Sequence, residues 1–179
     1  MKLVILDHNG VINQCSETFI KTPDEWEPIS GSMEAIARLT HSGYRIVTAT
    51  NQSGIGRGLL DMVTFNAIND KMYKAVAQAG GQIDSIFFCP HTNADKCRCR
   101  KPKTGMFEEI IQRYGMDLKN TPIIGDAMRD LQAADAIGAL PVLVLTGKGR
   151  TTQGMDQLPP RTQIYDDLAA AVDAIVGYA

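Results

Sequence analysis

The sequence predicts an α/β fold, a three-layer α/β/α sandwich around a central, mostly parallel sheet. Two patterns point there. Short apolar runs without period-two alternation, the mark of strands covered on both faces, recur between segments of helical spacing. Three of those runs end abruptly in polar clusters, as strands do when their carboxyl ends form a ligand site in a parallel sheet. At 179 residues the chain has the length of one domain, taken here as residues 1–179.

Lys2–Leu6 is the central first strand, stopping at Asp7-His8-Asn9-Gly10. A helix spans Ser32–Leu39, with Met33, Ile36 and Ala37 on its apolar face and Gly43 beyond its end, and Arg45–Ala49 is the second strand. Thr64 is expected to cap a helix to Ala79, which Gly80-Gly81 ends. Ile83–Cys89 is the third strand, and after a cysteine-rich loop a helix covers about Thr104–Tyr114. Pro122–Ile124 is a fourth strand, Asp130–Ile137 a helix, Pro141–Leu145 a fifth and last strand, and Asp166–Val176 a closing helix. Residues 147–161, rich in Gly, Pro, Thr and Gln, read as a surface loop. Too few residues separate Gly10 from the second strand for a cap domain, and one helix fills Gly58 to Ile83. The site is therefore expected to be open.

Hydrophobic residues at 44% and charged residues at 21% exclude a disordered or collagenous chain. A net charge of -2 offers no global attraction to nucleic acid or to an anionic membrane, so an anionic ligand must be met locally. The N-terminus reaches Asp7 before a signal-peptide core could form, and no apolar run approaches the ~18 residues of a membrane span. A cytoplasmic, monomeric protein is the expectation.

Brought together by a parallel sheet, Asp7 and Asp126 form a carboxylate pair that repels itself unless a hard cation such as Mg2+ lies between them. An acidic site then becomes able to hold an anion. Thr50 and Asn51 add neutral donors, and Lys101 adds a cation to balance nucleophile and phosphoryl charge. Taken singly, each cluster is also ordinary turn chemistry, since Asp, Asn, Ser and Gly are turn residues. Their coincidence at three strand ends favours a phosphoryl-transfer site.

Cys89, His91, Cys97 and Cys99 offer three thiolates and an imidazole within eleven residues, enough to close a tetrahedral structural Zn2+ site, whereas free buried cysteines would be the plainer alternative. Metal binding would fold a loop that lacks its own core and fix Arg100 and Lys101, which follow directly. Lys96 and Lys103 in the same basic stretch are read as a solvated face. A nucleic-acid-binding zinc module is disfavoured by the absence of interleaved aromatics.

The run Ile5-Leu6-Asp7-His8-Asn9-Gly10-Val11-Ile12-Asn13 resembles the first motif of the haloacid dehalogenase (HAD) superfamily, and the resemblance covers nearly the whole chain. Ala49–Gly58, Cys89-Pro90-His91, Cys97–Pro102 and Gly125-Asp126 with Asp130 are similar to the branch that holds heptose bisphosphate and histidinol-phosphate phosphatases. The resemblance implies a Rossmann-like fold and Mg2+-dependent hydrolysis of the C7 phosphate of a heptose bisphosphate, feeding bacterial surface glycan synthesis. Histidinol phosphate, or another small sugar phosphate, is the alternative substrate. It further implies that Asp7 is the nucleophile, forming an aspartyl-phosphate. Thr50 and Lys101 would steady the phosphoryl group, and Arg100 would recognise substrate. Asp7, Asp126 and the backbone carbonyl of Asn9 would bind Mg2+. Asn51, Gln52 and Ser53, with residues 15–18, would line the pocket, and Arg57 would meet the distal part of the substrate.

One departure stands out. The family's phosphatases carry a second aspartate where this chain has Asn9, and that carboxyl protonates the leaving oxygen and then deprotonates water. An amide cannot do this at neutral pH. The loss is worth about 10²–10⁴ in rate, which cripples turnover without erasing it. An engineered trap, a slow natural enzyme, a sugar-phosphate-binding module that lost catalysis, and deamidation at Asn9-Gly10 all fit the sequence. His8 stands where many relatives have arginine and is either a substitute acid or a turn residue. Ala127 stands where some have lysine beside the metal aspartate, which removes one phosphate contact.

Overall fold

In the computed structural model, which describes residues 1–177, the chain winds back and forth across one six-stranded parallel sheet. The strands are β1 (Lys2–Leu6), β2 (Tyr44–Asn51), β3 (Ser85–Cys89), β4 (Pro122–Gly125), β5 (Leu140–Val144) and β6 (Gln163–Tyr165), in the order β3-β2-β1-β4-β5-β6. The helices are α1 (Ser32–His41), α2 (Ser53–Gly56), α3 (Met62–Gln78), α4 (Gly105–Tyr114), α5 (Met128–Ala136), α6 (Gly149–Gln153) and α7 (Leu168–Val176).

β1 shows why three layers form. Val4 and Leu6 enter a cluster with Ile36 and Leu39 of α1, Phe65 and Met72 of α3 and Leu168 of α7. Leu3 and Ile5 enter another, with Met106, Phe107 and Ile110 of α4 and Ala133 and Ala134 of α5. Successive side chains of a strand point to opposite faces, so a run apolar at every position must be covered twice. Burying each such side chain contributes roughly 1.5–3 kcal/mol.

Several boundaries differ from the sequence reading. β2 runs two residues past Ala49, because Thr50 and Asn51 pair with Phe88 and Cys89 of β3. α3 starts at Met62, and its cap is Asp61, which accepts from the Thr64 N–H at 2.7 Å; Thr64 lies inside the helix. The fifth strand is not the last. β6, a three-residue edge strand with mostly exposed side chains, pairs with β5, and part of the expected 147–161 loop is α6.

The chain builds the sheet outward from β1 to β2 and β3 on one side, then crosses to β4, β5 and β6 on the other. The carboxyl ends of β1 and β4 therefore flank the point where strand order reverses, where open α/β sheets leave a crevice. Leu6 pairs with Ile124, and the Asp7 N–H donates to the Ile124 carbonyl at 3.0 Å.

Candidate active site

Asp7 follows β1, Asp126 follows β4, and Asp130 lies one helical turn further in α5. All three are buried, and one carboxylate oxygen from each lies within 4.8 Å of the other two. One cation sits among them. Lys101 Nζ is 2.8 Å from Asp130 Oδ1 and 3.3 Å from Asp7 Oδ1, and it donates to the Ala49 carbonyl at 2.7 Å. Burial works against this ammonium, but Asp130 and Asp7 outweigh it and hold its pKa above the ordinary lysine value.

One lysine does not neutralise three carboxylates. Burial, and then the charge of Asp7, push the Asp126 pKa up to about 6, although the Lys148 N–H on Asp126 Oδ2 at 2.8 Å and the Arg129 charge pull the other way. Asp130 is likewise raised, first by burial. Asp130 is engaged on both oxygens, one with Lys101 and one accepting from the Ala127 N–H at 3.1 Å. That leaves Asp7 and Asp126 as an all-oxygen donor pair that fits a hard divalent cation. Backbone closes in on Asp126: a Cβ on either Gly10 (φ +82°) or Gly147 (φ +56°) would run into its Oδ2.

Asn51 fixes Lys101 through the main chain. Its Oδ1 accepts from the Lys101 N–H and its Nδ2 donates to the Lys101 carbonyl, both at 3.1 Å. Thr50 is buried beside it at the end of β2.

Above this floor opens a cleft of about 210 Å³, lined by Asn9, Asn51, Gln52, Ser53, Arg57 and Arg100 among others, and reaching Asp126. Residues 15–18 line it too. Asn9 is only half-buried, and its Oδ1 accepts from Asn13 Nδ2 at 2.9 Å. His8 points elsewhere. It is buried, its Nε2 lies 2.8 Å from Thr48 Oγ1, and burial, then the Lys101 charge, lower its pKa to about 3. A neutral imidazole bound to a core threonine is a packing residue, so the turn reading of His8 fits and the substitute-acid reading does not.

The four ligand atoms of Cys89, His91, Cys97 and Cys99 also lie within 4.8 Å of one another. Cys89 Sγ is 3.0 Å from Cys99 Sγ and 3.6 Å from Cys97 Sγ, and His91 Nδ1 is 3.2 Å from Cys99 Sγ. The edge of a tetrahedron with ~2.3 Å metal–sulfur bonds is roughly 3.7 Å, so these four atoms could hold a metal ion with little movement. Burial raises Cys89 to about 12, whereas at Cys97 the Arg100 N–H and the neighbouring ligands overcome burial and lower it to about 6. The loop is tied to the cleft at both ends: the Gln52 N–H donates to the Cys89 carbonyl at 2.7 Å, and Arg100 bonds Asn93 Oδ1 at 2.7 Å and the His91 carbonyl at 3.3 Å.

Two cationic residues in the cleft escaped the sequence reading as site residues: Arg129 and Lys148. A basic residue in a helix's first turn or after a glycine carries no sequence signal that sets it apart from solvated charge. Asp130 entered the sequence reading only with the Gly125-Asp126 motif, and its hold on Lys101 has no sequence signal of its own.

A family model described as HAD-hydrolase-like matches residues 98–171. With a parallel sheet carrying aspartates at the ends of β1 and β4 and a buried lysine between, fold and site define the class as a HAD-superfamily phosphatase. D-glycero-beta-D-manno-heptose-1,7-bisphosphate 7-phosphatase of Bordetella bronchiseptica is 52% identical over 98% of both chains. Its counterpart in Neisseria meningitidis serogroup B is 53% identical over 94% of this chain and 91% of the relative. The chain belongs to this heptose bisphosphate phosphatase family of HAD hydrolases. Among solved structures, D,D-heptose 1,7-bisphosphate phosphatase from B. bronchiseptica, complexed with magnesium and phosphate, superposes with a TM-score of 0.98 at 52% identity over the whole of both chains. The Burkholderia thailandensis enzyme gives 0.80 at 48% identity, over 98% of this chain and 99% of that one.

Proposed function

We propose that this chain removes the C7 phosphate of D-glycero-D-manno-heptose 1,7-bisphosphate through an aspartyl-phosphate on Asp7, slowly because of Asn9. The observation that carries the reading is Lys101 Nζ, held between Asp7 and Asp130 beside Asp126 at the reversal point of the sheet.

Asp7 attacks phosphorus as a carboxylate. The P–O bond to C7 breaks, and the departing alkoxide needs a proton. Lys101 and the Thr50 hydroxyl offset charge on the transferred group. Asp7, Asp126 and the Asn9 carbonyl would hold Mg2+, which when bound screens the carboxylates from one another and draws the phosphate oxygens in. Water protonates the alkoxide and attacks the aspartyl-phosphate without help from position 9, at a cost of about 10²–10⁴ in rate. Arg57, Arg100, Gln52 and Ser53 meet the sugar at the open cleft. The Cys89, His91, Cys97 and Cys99 cluster is assigned to structural Zn2+, since three sulfurs and one nitrogen match its preference and leave no open position.

The test is phosphate release, with Mg2+, from heptose 1,7-bisphosphate, histidinol phosphate and simple sugar phosphates, by the protein and its Asp7→Asn variant. Slow release, fastest from the heptose bisphosphate and abolished in the variant, is expected. A preference for histidinol phosphate would move the assignment within the superfamily. Asn9 motivates a second reading, a sugar-phosphate-binding module: tight binding of the bisphosphate with no release after prolonged incubation would favour it.

A further inference from the structure

We propose that Arg129, in the first turn of α5, is a specificity residue that grips the second phosphate of the substrate, the one that is not transferred. The inference rests on the heptose bisphosphate reading and deepens it.

The floor of the site has no positive charge to spare. Three carboxylates face one ammonium, and a divalent cation would bring that group only to balance. The walls differ: four cations, Arg57, Arg100, Arg129 and Lys148, line the cleft against Glu17 and Asp126. A phosphate monoester carries about -1.5 to -2 at neutral pH. The wall cations thus exceed what a single transferred group, met at the floor, requires.

Among them Arg129 is distinctive. Arg57 is exposed at the rim, and Lys148 has an exposed residue position with its N–H committed to Asp126. Arg100 is engaged with Asn93 and the His91 carbonyl. Arg129 is half-buried and its Nε is shut off from solvent without a hydrogen-bond partner; its charge is felt by Asp126 and Asp130, but among the described residues no carboxylate makes an ion-pair contact with it. A guanidinium held partly out of water with a buried N–H unpaired is unfavourable, and a phosphate that takes its fork of donors recovers that loss. Arg129 comes from α5 and Arg100 from the metal-binding loop, so a bisphosphate is met from separate elements of the cleft.

The test compares heptose 1,7-bisphosphate with heptose 7-phosphate as substrates for the protein, Arg129→Gln and Arg129→Lys, and measures competition by inorganic phosphate in each. For Arg129→Gln the KM of the bisphosphate is expected to rise about 10- to 100-fold, the worth of one charged hydrogen-bonded contact. Its kcat, the KM of the monophosphate and the inhibition by inorganic phosphate should change less than about threefold, and Arg129→Lys should fall between. An unchanged bisphosphate preference would overturn the assignment. So would equal losses on both substrates with weaker phosphate inhibition, which would place Arg129 on the transferred group instead. If the unaltered protein releases no phosphate from the bisphosphate, the parent reading fails and this inference with it. Turnover by the unaltered protein with an indifferent Arg129→Gln sinks the inference alone.

Discussion

Asn13 donates through Nδ2 to Oδ1 of Asn9 at 2.9 Å, so the side chain at position 9 is held by an acceptor oxygen that a carboxylate would equally offer. Asn9→Asp should therefore enter the existing geometry and gain a titratable proton. Turnover of an alkyl phosphate is expected to rise at least ~10-fold. With an aryl phosphate, whose leaving group needs little protonation, the gain should shrink if aspartyl-phosphate formation limits the rate. Steady-state kinetics on both classes decide, and equal or lower activity of the variant on the alkyl ester would count against an acid–base role for this position.

Asn51 bonds both main-chain groups of Lys101, and its loss should be felt at the ammonium. Asn51→Leu leaves a donor and an acceptor unpaired and should cost about 1–3 kcal/mol of stability, read by urea denaturation. It should also lower kcat. Asn51→Asp keeps the acceptor for the Lys101 N–H and should lie between the two. A normal kcat in Asn51→Leu would show that Lys101 is positioned without it.

The cysteine-rich loop gives a metal prediction. Elemental analysis of the purified protein should find about one equivalent of zinc, and Cys97→Ser should release it. Because Arg100 bonds Asn93 and the His91 carbonyl, loss of the metal should raise KM as well as protease sensitivity in the loop. Protein purified without zinc, yet fully active, contradicts the assignment.

His8 predicts a pH dependence of stability. Its imidazole protonates near 6.5 in an unfolded chain but only at about 3 in the fold. Between those values the unfolded state binds more protons, so the stabilisation from neutral His8 is complete above about 6.5 and is lost as pH falls toward 3. The slope approaches 1.4 kcal/mol per pH unit. Asp126, raised to about 6, acts in the opposite sense, its burden growing as pH rises toward that value. It is common to the protein and to His8→Gln, so the difference between their urea midpoints at pH 7 and pH 4 isolates His8. The variant should lose less stability on acidification, and parallel losses would refute the buried-imidazole account.

The sequence revealed most where apolar patterning and strand-end chemistry coincide. β1 matches its sequence span because every residue from Leu3 to Leu6 is buried, and Asp7 and Asp126 could be placed because they directly follow such runs. β6 was invisible, since an edge strand with exposed Gln163 and Ile164 lacks that pattern. The cleft's cations were unreadable for a related reason: Arg129 gains meaning only from what surrounds it in space. Asn51 was read as a substrate donor from its place after the second strand, while its bonds to Lys101 depend on a partner fifty residues away.

Gly10 and Gly147 bring bare backbone against Asp126 from two segments far apart in sequence, and neither position admits even a methyl group. Randomising those two sites should return glycine alone. The rim, where Glu17, Thr18 and Arg57 are exposed, carries no such restriction. A laboratory seeking to retune this scaffold toward other phosphorylated metabolites can thus diversify the mouth freely while leaving the chemistry at its base untouched.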